Sequence, residues 1–266
     1  MELCCPVCAG ELTREDRVLR CPQGHSFDVA RQGYVNLLTV GQKHSKSPGD
    51  TKEQVLARRA FLSGGYYAPI AEALCRLVLP LRPKAVVDAG CGEGYYLRCL
   101  RGAWPQADYL GLDISKEAVR CAAGADKSIT WITATAASLP LPDGCADVVL
   151  SMFAMTAAAE FSRILTPGGH FVQVLAGPDH LLGLKSIIYP ELFHREKTVH
   201  PALPGFSLAH SETLEFSFAL EGAAVQHLLY MTPHVYRISK AGAERLRQTT
   251  QLSDKVQVIF NLYSII

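Results

Sequence analysis

The chain has 266 residues, a formal net charge of +1, 48% hydrophobic residues and 19% charged residues. That is long enough for one large domain, or for a medium domain with a small appendage; the composition is that of an ordinary globular protein, and the net charge does not advertise a nucleic-acid binder, although a local basic patch can serve where the total does not. No uninterrupted run of about 18 apolar residues offers a membrane span, and nine cysteines scattered among apolar neighbours argue against a disulfide framework. With no basic-then-apolar leader, a reducing cytoplasm is the expected compartment.

The first element in chain order is "CPVCAGELTREDRVLRCPQGHSFD", residues 5–28. Cys5, Cys8, Cys21 and His25 supply three thiolates and one imidazole at knuckle spacing, the donor set of a closed, tetrahedral structural Zn2+ site with no open position for catalytic water. Cys4 competes for the first position, but Cys5 gives the regular C-x2-C spacing. Residues 1–38 are short and turn-rich, so a metal is the staple such a head requires. "VGQKHSKSPGDTK" (40–52) is polar, basic and punctuated by Pro and Gly, which reads as a linker or mobile loop. Two amphipathic helices follow, in "EQVLARRAFL" (53–62) and in Tyr66 to Leu81, with Pro69 in a first turn and Pro80 and Pro83 as stops. The expected units are therefore 1–38, 39–83 (linker and helices) and 84–266.

From Lys84 short apolar strands alternate with helices: "KAVVDAG", "GYYLRCLRGA", "ADYLGLD", "SKEAVRCAAGA", "SITWITA", "CADVVLSMFA", then a helix ending in "ILTPGG" and the strand "HFVQVLA". Such alternation builds an open, mostly parallel α/β sheet. The tail adds a helix after about residue 177, apolar "LEFSFALEG", two more helices and a last strand, "KVQVIFNLYSII".

Within that sheet "VVDAGCGEGYY" sets Asp88 at a strand end, followed by Gly90, Gly92 and Gly94 and a helix. Asp113 ends the next strand, where a carboxylate can accept both hydroxyls of a ribose. Charge selects the ligand. A pyrophosphate wants an unopposed helix N-terminus, whereas Asp88 and Glu93 suit the cationic methionyl end of S-adenosylmethionine. The ordered motifs, Asp-x-Gly-x-Gly-x-Gly (88–94), Asp113, "SLPLPDGCADVV" and "ILTPGG", resemble those of the class I methyltransferases, a Rossmann-like fold. One departure is Thr135, where many members carry an Asp, so contacts to the adenine amino group fall to Thr135 or to backbone near Ala136.

Taken together, "CPVC", "CPQGHSFDVARQGYVNLL", "SPGDTKEQVLARRAFLSGGYY", "DAGCGEGYY", "GLDISKEAV" and "GPDHLLGLKSIIY" resemble the RlmA (RrmA) family over nearly the whole chain. The resemblance implies S-adenosylmethionine-dependent methylation of N1 of one guanine in a hairpin loop of 23S rRNA. It also implies a homodimer whose zinc domains help form the RNA cleft, and cofactor contacts at Tyr67, Gly92, Glu93 and His180. Ser151 and Met155 stand where the enterobacterial branch has Arg and Pro, and a second branch modifies a neighbouring guanine. A small-molecule methyltransferase of the same sheet type is the alternative, which leaves the zinc head and basic linker without purpose.

An unstacked target base needs an aromatic face, for which Phe153, Tyr95 and Tyr67 are candidates. No residue is singled out as general base. Arg31, Lys43, Lys46, Arg58 and Arg59 form the expected RNA-binding cluster beside the head. Replacing Cys8 or Cys21 is expected to abolish rRNA methylation and to leave cofactor binding largely intact.

Overall fold

The computed structural model describes residues 1–43, 45, 47–192 and 198–266. Lys46, one of the expected RNA-binding residues, lies outside the described residues.

The head is a three-stranded antiparallel sheet of β1 (Thr13–Glu15), β2 (Val18–Arg20) and β3 (Ser26–Asp28). These strands are too short to enclose a core. Leu3, Leu12 and Leu19 are instead buried in one apolar cluster with Val87, Leu110, Ile132, Leu139 and Leu141 of the large domain. At roughly 1.5–3 kcal/mol for each buried leucine side chain, this shared cluster holds the head on the sheet by several kcal/mol. Two backbone links add to it. The Cys4 N–H donates to the Pro140 carbonyl at 2.9 Å, and β4 (Val35–Asn36) pairs in parallel with β7 (Thr130–Thr133).

After β4 come α1 (Lys52–Ser63) and α2 (Ala68–Val78). Thr51 caps α1, accepting from the Gln54 N–H while the Gln54 side chain accepts from the Thr51 N–H, a reciprocal capping box. The sheet proper begins at β5 (Ala85–Ala89) and runs through α3 (Tyr95–Ala103), β6 (Asp108–Asp113), α4 (Lys116–Ala125), β7, β8 (Ala146–Met152), α5 (Ala158–Ile164) and β9 (Leu165–Ala176). The tail contributes α6 (Leu182–Ile188), β10 (Phe206–Glu221), α7 (Ala223–Tyr230), α8 (Lys240–Gln248) and β11 (Gln251–Ile265).

The eight strands lie in the order β10-β11-β9-β8-β5-β6-β7-β4. The six from β4 to β9 are parallel, and β10 and β11 form an antiparallel edge. The near-continuous apolar runs of β5 and β8 follow from burial on both faces, with Val86 and Val87 packing into clusters on opposite sides. Strand order reverses between β5 and β8, which opens a crevice at their carboxyl ends.

Candidate active site and zinc centre

The crevice is a cleft of about 280 Å³, lined by the loop after β5 (Gly90, Gly92), the end of β6 (Asp113, Ile114), the segment after β7 (Thr135, Ala136) and the segment after β8 (Phe153, Met155). Gly90 and Gly92 present bare backbone to it. Gly94 answers to a different demand: at φ +81°, a Cβ there would meet the Trp131 ring at 2.4 Å, so this glycine sets how closely α3 approaches β7.

Three acids crowd this corner. Asp113 is already engaged, accepting from the Gly92 N–H at 2.9 Å through Oδ2 and from the Ser115 N–H at 2.8 Å through Oδ1. Asp88 is 1% exposed, its Oδ1 has no partner among the described residues, and burial, with the Asp113 charge behind it, pushes its carboxyl up to about 8. Glu93 is likewise buried and raised by burial; its Oε2 meets Arg98 at 3.2 Å, while its Oε1 has no partner among the described residues. Neither acid lines the cleft itself, but two carboxylate oxygens without a partner among the described residues, beside the glycine loop, put negative charge behind its wall, which suits a ligand bearing a cation, as S-adenosylmethionine does, better than a pyrophosphate.

Tyr67 and His180 do not line the cleft; they form a buried pair, the hydroxyl 3.5 Å from Nε2. His180 Nδ1 lies 3.1 Å from the Gln257 carbonyl, which can only accept, so Nδ1 carries the proton and Tyr67 donates to Nε2. Phe153 packs between His180 and Tyr96, at ring-centre distances of 6.3 and 6.4 Å. It is 38% exposed and held at φ +55°, a left-handed conformation that an aromatic residue rarely adopts. Tyr95 points elsewhere: its ring meets Tyr96 edge-on at 5.1 Å, and it does not line the cleft.

Several positioning residues carried no local signal. Asp254 and Gln257 on β11 clamp the segment bearing His180: Asp254 accepts from the Gly183 and Leu184 N–H groups at 2.9 and 2.7 Å, and Gln257 Oε1 from the Asp179 N–H at 2.9 Å. Both are polar residues buried in β11, a strand that carries other polar residues as well, so nothing in the local pattern marks them. Arg163 pins the wall after β7, donating to the Leu139 and Leu141 carbonyls and pairing with Glu160 and Asp143. Asp50 and Gly49, from the segment read as a linker, also line the cleft.

The basic residues divide. Arg31, Lys43 and Arg59 are exposed. Arg58 is half-buried, lines the cleft and grips Asp50 at 2.5 Å.

In the head, Cys5, Cys8, Cys21 and His25 bring their donor atoms within 4.8 Å of one another. The Cys8–Cys21 sulfur separation is 3.6 Å, and His25 Nδ1 lies 3.6 and 3.4 Å from the sulfurs of Cys5 and Cys21. Edges of that length belong to a tetrahedron whose centre lies about 2.0–2.3 Å from each corner, the Zn–N and Zn–S bond lengths. Burial pushes the Cys21 thiol up, but hydrogen bonds from Cys8 and His25 outweigh it and bring it down to about 6, the direction a thiolate ligand requires. The four residues fit one structural zinc ion, and Cys4 stands outside the set.

An open sheet with this order, a glycine-loop cleft at its reversal point and the match of residues 87–173 to the family model for a methyltransferase domain define a class I, S-adenosylmethionine-dependent methyltransferase. Residues 3–46 match the zinc-ribbon model described as RlmA, N-terminal. The chain is 39% identical over 241 residues to the 23S rRNA (guanine(748)-N(1))-methyltransferase of Streptomyces fradiae, covering 86% of this chain and 84% of that one. It is 31% identical over 271 residues to YxjB of Bacillus subtilis (strain 168), covering 96% and 94%. It belongs to the RlmA family of 23S rRNA (guanine-N1)-methyltransferases. Among solved structures the YcgJ protein of Bacillus subtilis aligns with a TM-score of 0.46 at 15% identity, over 73% of this chain and 97% of that one.

Proposed function

We propose that the protein transfers a methyl group from S-adenosylmethionine to N1 of a guanine in a hairpin loop of 23S rRNA, in the cytoplasm and as a homodimer. The observation that carries the reading is the RlmA-type zinc head packed into the same core as a methyltransferase cleft. A small-molecule methyltransferase of this sheet type has no use for such a head.

In this reading residues 1–38 read RNA, 39–83 link and cover the cleft, and 84–266 carry the chemistry. Gly90, Gly92, Asp113, Thr135 and Ala136 line the cofactor's cleft, with Asp88 and Glu93 behind its wall, Tyr67 and His180 buried outside its lining, and Gly94 holding the loop's helix in place. Asp113, its two oxygens already fixed by backbone N–H groups, is preorganised to accept from ribose hydroxyls. The bound cofactor supplies an electrophilic methyl on a sulfonium. What the chain adds is position, since in-line approach at near-contact distance provides much of the rate. Phe153 offers an exposed aromatic face at the cleft mouth, on which a guanine turned out of its loop stacks with N1 directed inward. Arg31, Lys43, Lys46 and Arg59 attract the RNA backbone, while Arg58 orders Asp50 at the cleft edge.

Primer extension on 23S rRNA treated with purified protein and S-adenosylmethionine tests the proposal, because a methyl on N1 blocks base pairing and stops reverse transcriptase. One stop at a loop guanine is the expected result, and full-length extension despite bound cofactor would overturn it. Sedimentation equilibrium tests the dimer.

A further inference from the structure

A second cleft, of about 350 Å³, adjoins the first and shares Asp50 and Ile114 with it. It lies between the edge strand β4, the end of β7 and the first turns of α1 and α4. Its donors include Lys43, Lys52, Lys116 and Thr133. None of the zinc ligands or the glycine-loop residues lines it.

Four observations point to a phosphate here. Two helix N-termini converge: the Ser115 hydroxyl donates to the Asp50 carbonyl at 2.7 Å, tying the start of α1 to the start of α4. Gly49 makes that approach possible, since at φ +81° its missing Cβ would lie 2.7 Å from the Ser115 Cβ. Both helices open with a lysine, Lys52 and Lys116, each followed by a glutamate, Glu53 and Glu117, that answers the macrodipole; the two lysines themselves are left to meet an anion between them. Among the described residues neither lysine pairs with a carboxylate, and the two acids in the lining are neutralised elsewhere, Asp50 by Arg58 and Glu117 by Arg120. Finally, Thr133 is 1% exposed, lines this cleft, and has a hydroxyl with no partner among the described residues, a cost that a ligand acceptor removes.

Resting on the RNA methyltransferase reading, we propose that this cleft is a phosphodiester site that grips the substrate RNA backbone beside the cofactor cleft, held by Lys52, Lys116, the two helix N-termini and Thr133. It fixes the register of the loop, while Phe153 receives the base.

The full-length zinc-loaded protein is tested with a 23S rRNA hairpin fragment by fluorescence anisotropy across a salt series. For Lys52→Gln/Lys116→Gln, affinity falls roughly tenfold at low salt and the salt slope loses about 0.7 for one released phosphate contact on a single strand. Thr133→Val, which keeps the shape and strips the hydroxyl, weakens RNA binding several-fold without lowering the melting temperature. S-adenosylhomocysteine affinity stays unchanged in both. A neutral methylphosphonate at one RNA linkage reproduces the loss in wild type and adds nothing in the double-lysine variant. Wild-type affinity and slope in both variants would overturn the site, as would competition by millimolar inorganic phosphate with indifference to every methylphosphonate. Wild-type protein that neither binds nor methylates the RNA would bring down the substrate reading and the site with it, whereas normal methylation by insensitive variants removes the site alone.

Discussion

If Asp88 faces the cofactor's cation as proposed, cofactor affinity rises with pH as for any carboxylate that meets a cation, but in a window near neutrality, far above that of an ordinary surface carboxylate. The Asp88 carboxyl sits at about 8, lifted by burial and by the neighbouring Asp113, against 3.8 for the free group. That climb is on the order of 5 kcal/mol against charge. The sign for stability follows directly. Between pH 4 and 8 the folded protein holds a proton that the unfolded chain has released, so stability without cofactor declines as pH rises through that window and levels off above it. A cationic ligand reverses the preference, because it binds the ionised form. About 1 in 100 molecules is ionised at pH 6 and about half at pH 8, so a ligand that requires the carboxylate binds roughly 50-fold more weakly at pH 6.

Calorimetry with S-adenosylhomocysteine, which lacks the sulfonium but keeps the α-ammonium of the amino-acid end, reads this directly. Affinity rises with pH up to about tenfold per unit, and in buffers of differing ionisation enthalpy at pH 6 to 7, binding releases close to one proton. Asp88→Asn flattens the profile, lowers affinity at pH 8 and raises the melting temperature of the cofactor-free protein there, since it removes a buried charge whose Oδ1 nothing in the described structure satisfies. A flat wild-type profile from pH 6 to 8 would refute the reasoning. A slope that persists in Asp88→Asn would transfer the titration to Glu93 or Asp113, both also raised by burial.

Gly94→Ala adds a methyl 2.4 Å from the Trp131 ring in a left-handed backbone; a loss of about 2–5 kcal/mol is expected, visible as a lower denaturant midpoint, and an unchanged midpoint would contradict the packing role. Phe153→Ala removes a stacking face worth roughly 1–3 kcal/mol per base, so kcat/KM for RNA falls about 5- to 150-fold while S-adenosylhomocysteine affinity moves less than about twofold. Equal loss of both would make Phe153 part of the cofactor pocket. Chelation of zinc, or Cys8→Ser, lowers the melting temperature of the whole chain in a single transition, because the head's leucines lie in the core of the sheet. Below that temperature S-adenosylhomocysteine still binds, and two separate transitions with the upper one unmoved would show the head to be independent.

What the sequence discloses here is what is encoded locally. The glycine loop, Asp113 nineteen residues beyond Gly94, the alternation of strand and helix and the knuckle spacing all reside in short windows, and each appears in the fold at the place its spacing requires. Contacts between distant segments leave no such trace. Asp254 and Gln257 hold His180 from more than seventy residues away. "SPGD" has the composition of a linker because Gly49 must lack a side chain to cross Ser115 and Asp50 must be polar to meet Arg58, so the features that make it look mobile are those that seat it on α4. The same limit applies to the head. Its cysteines announce a metal, but a three-stranded sheet stapled by zinc is compatible with a free module or a fused one. The difference lies in Leu3, Leu12 and Leu19, which look like ordinary apolar residues in the chain and become part of the large core only through β4 lying along β7 and the Cys4 amide reaching Pro140. A head fixed in this way stands in a defined position relative to the cleft. On the proposed reading, that fixed geometry is what a head that reads RNA needs if it is to deliver one base of a loop to Phe153 and exclude its neighbours.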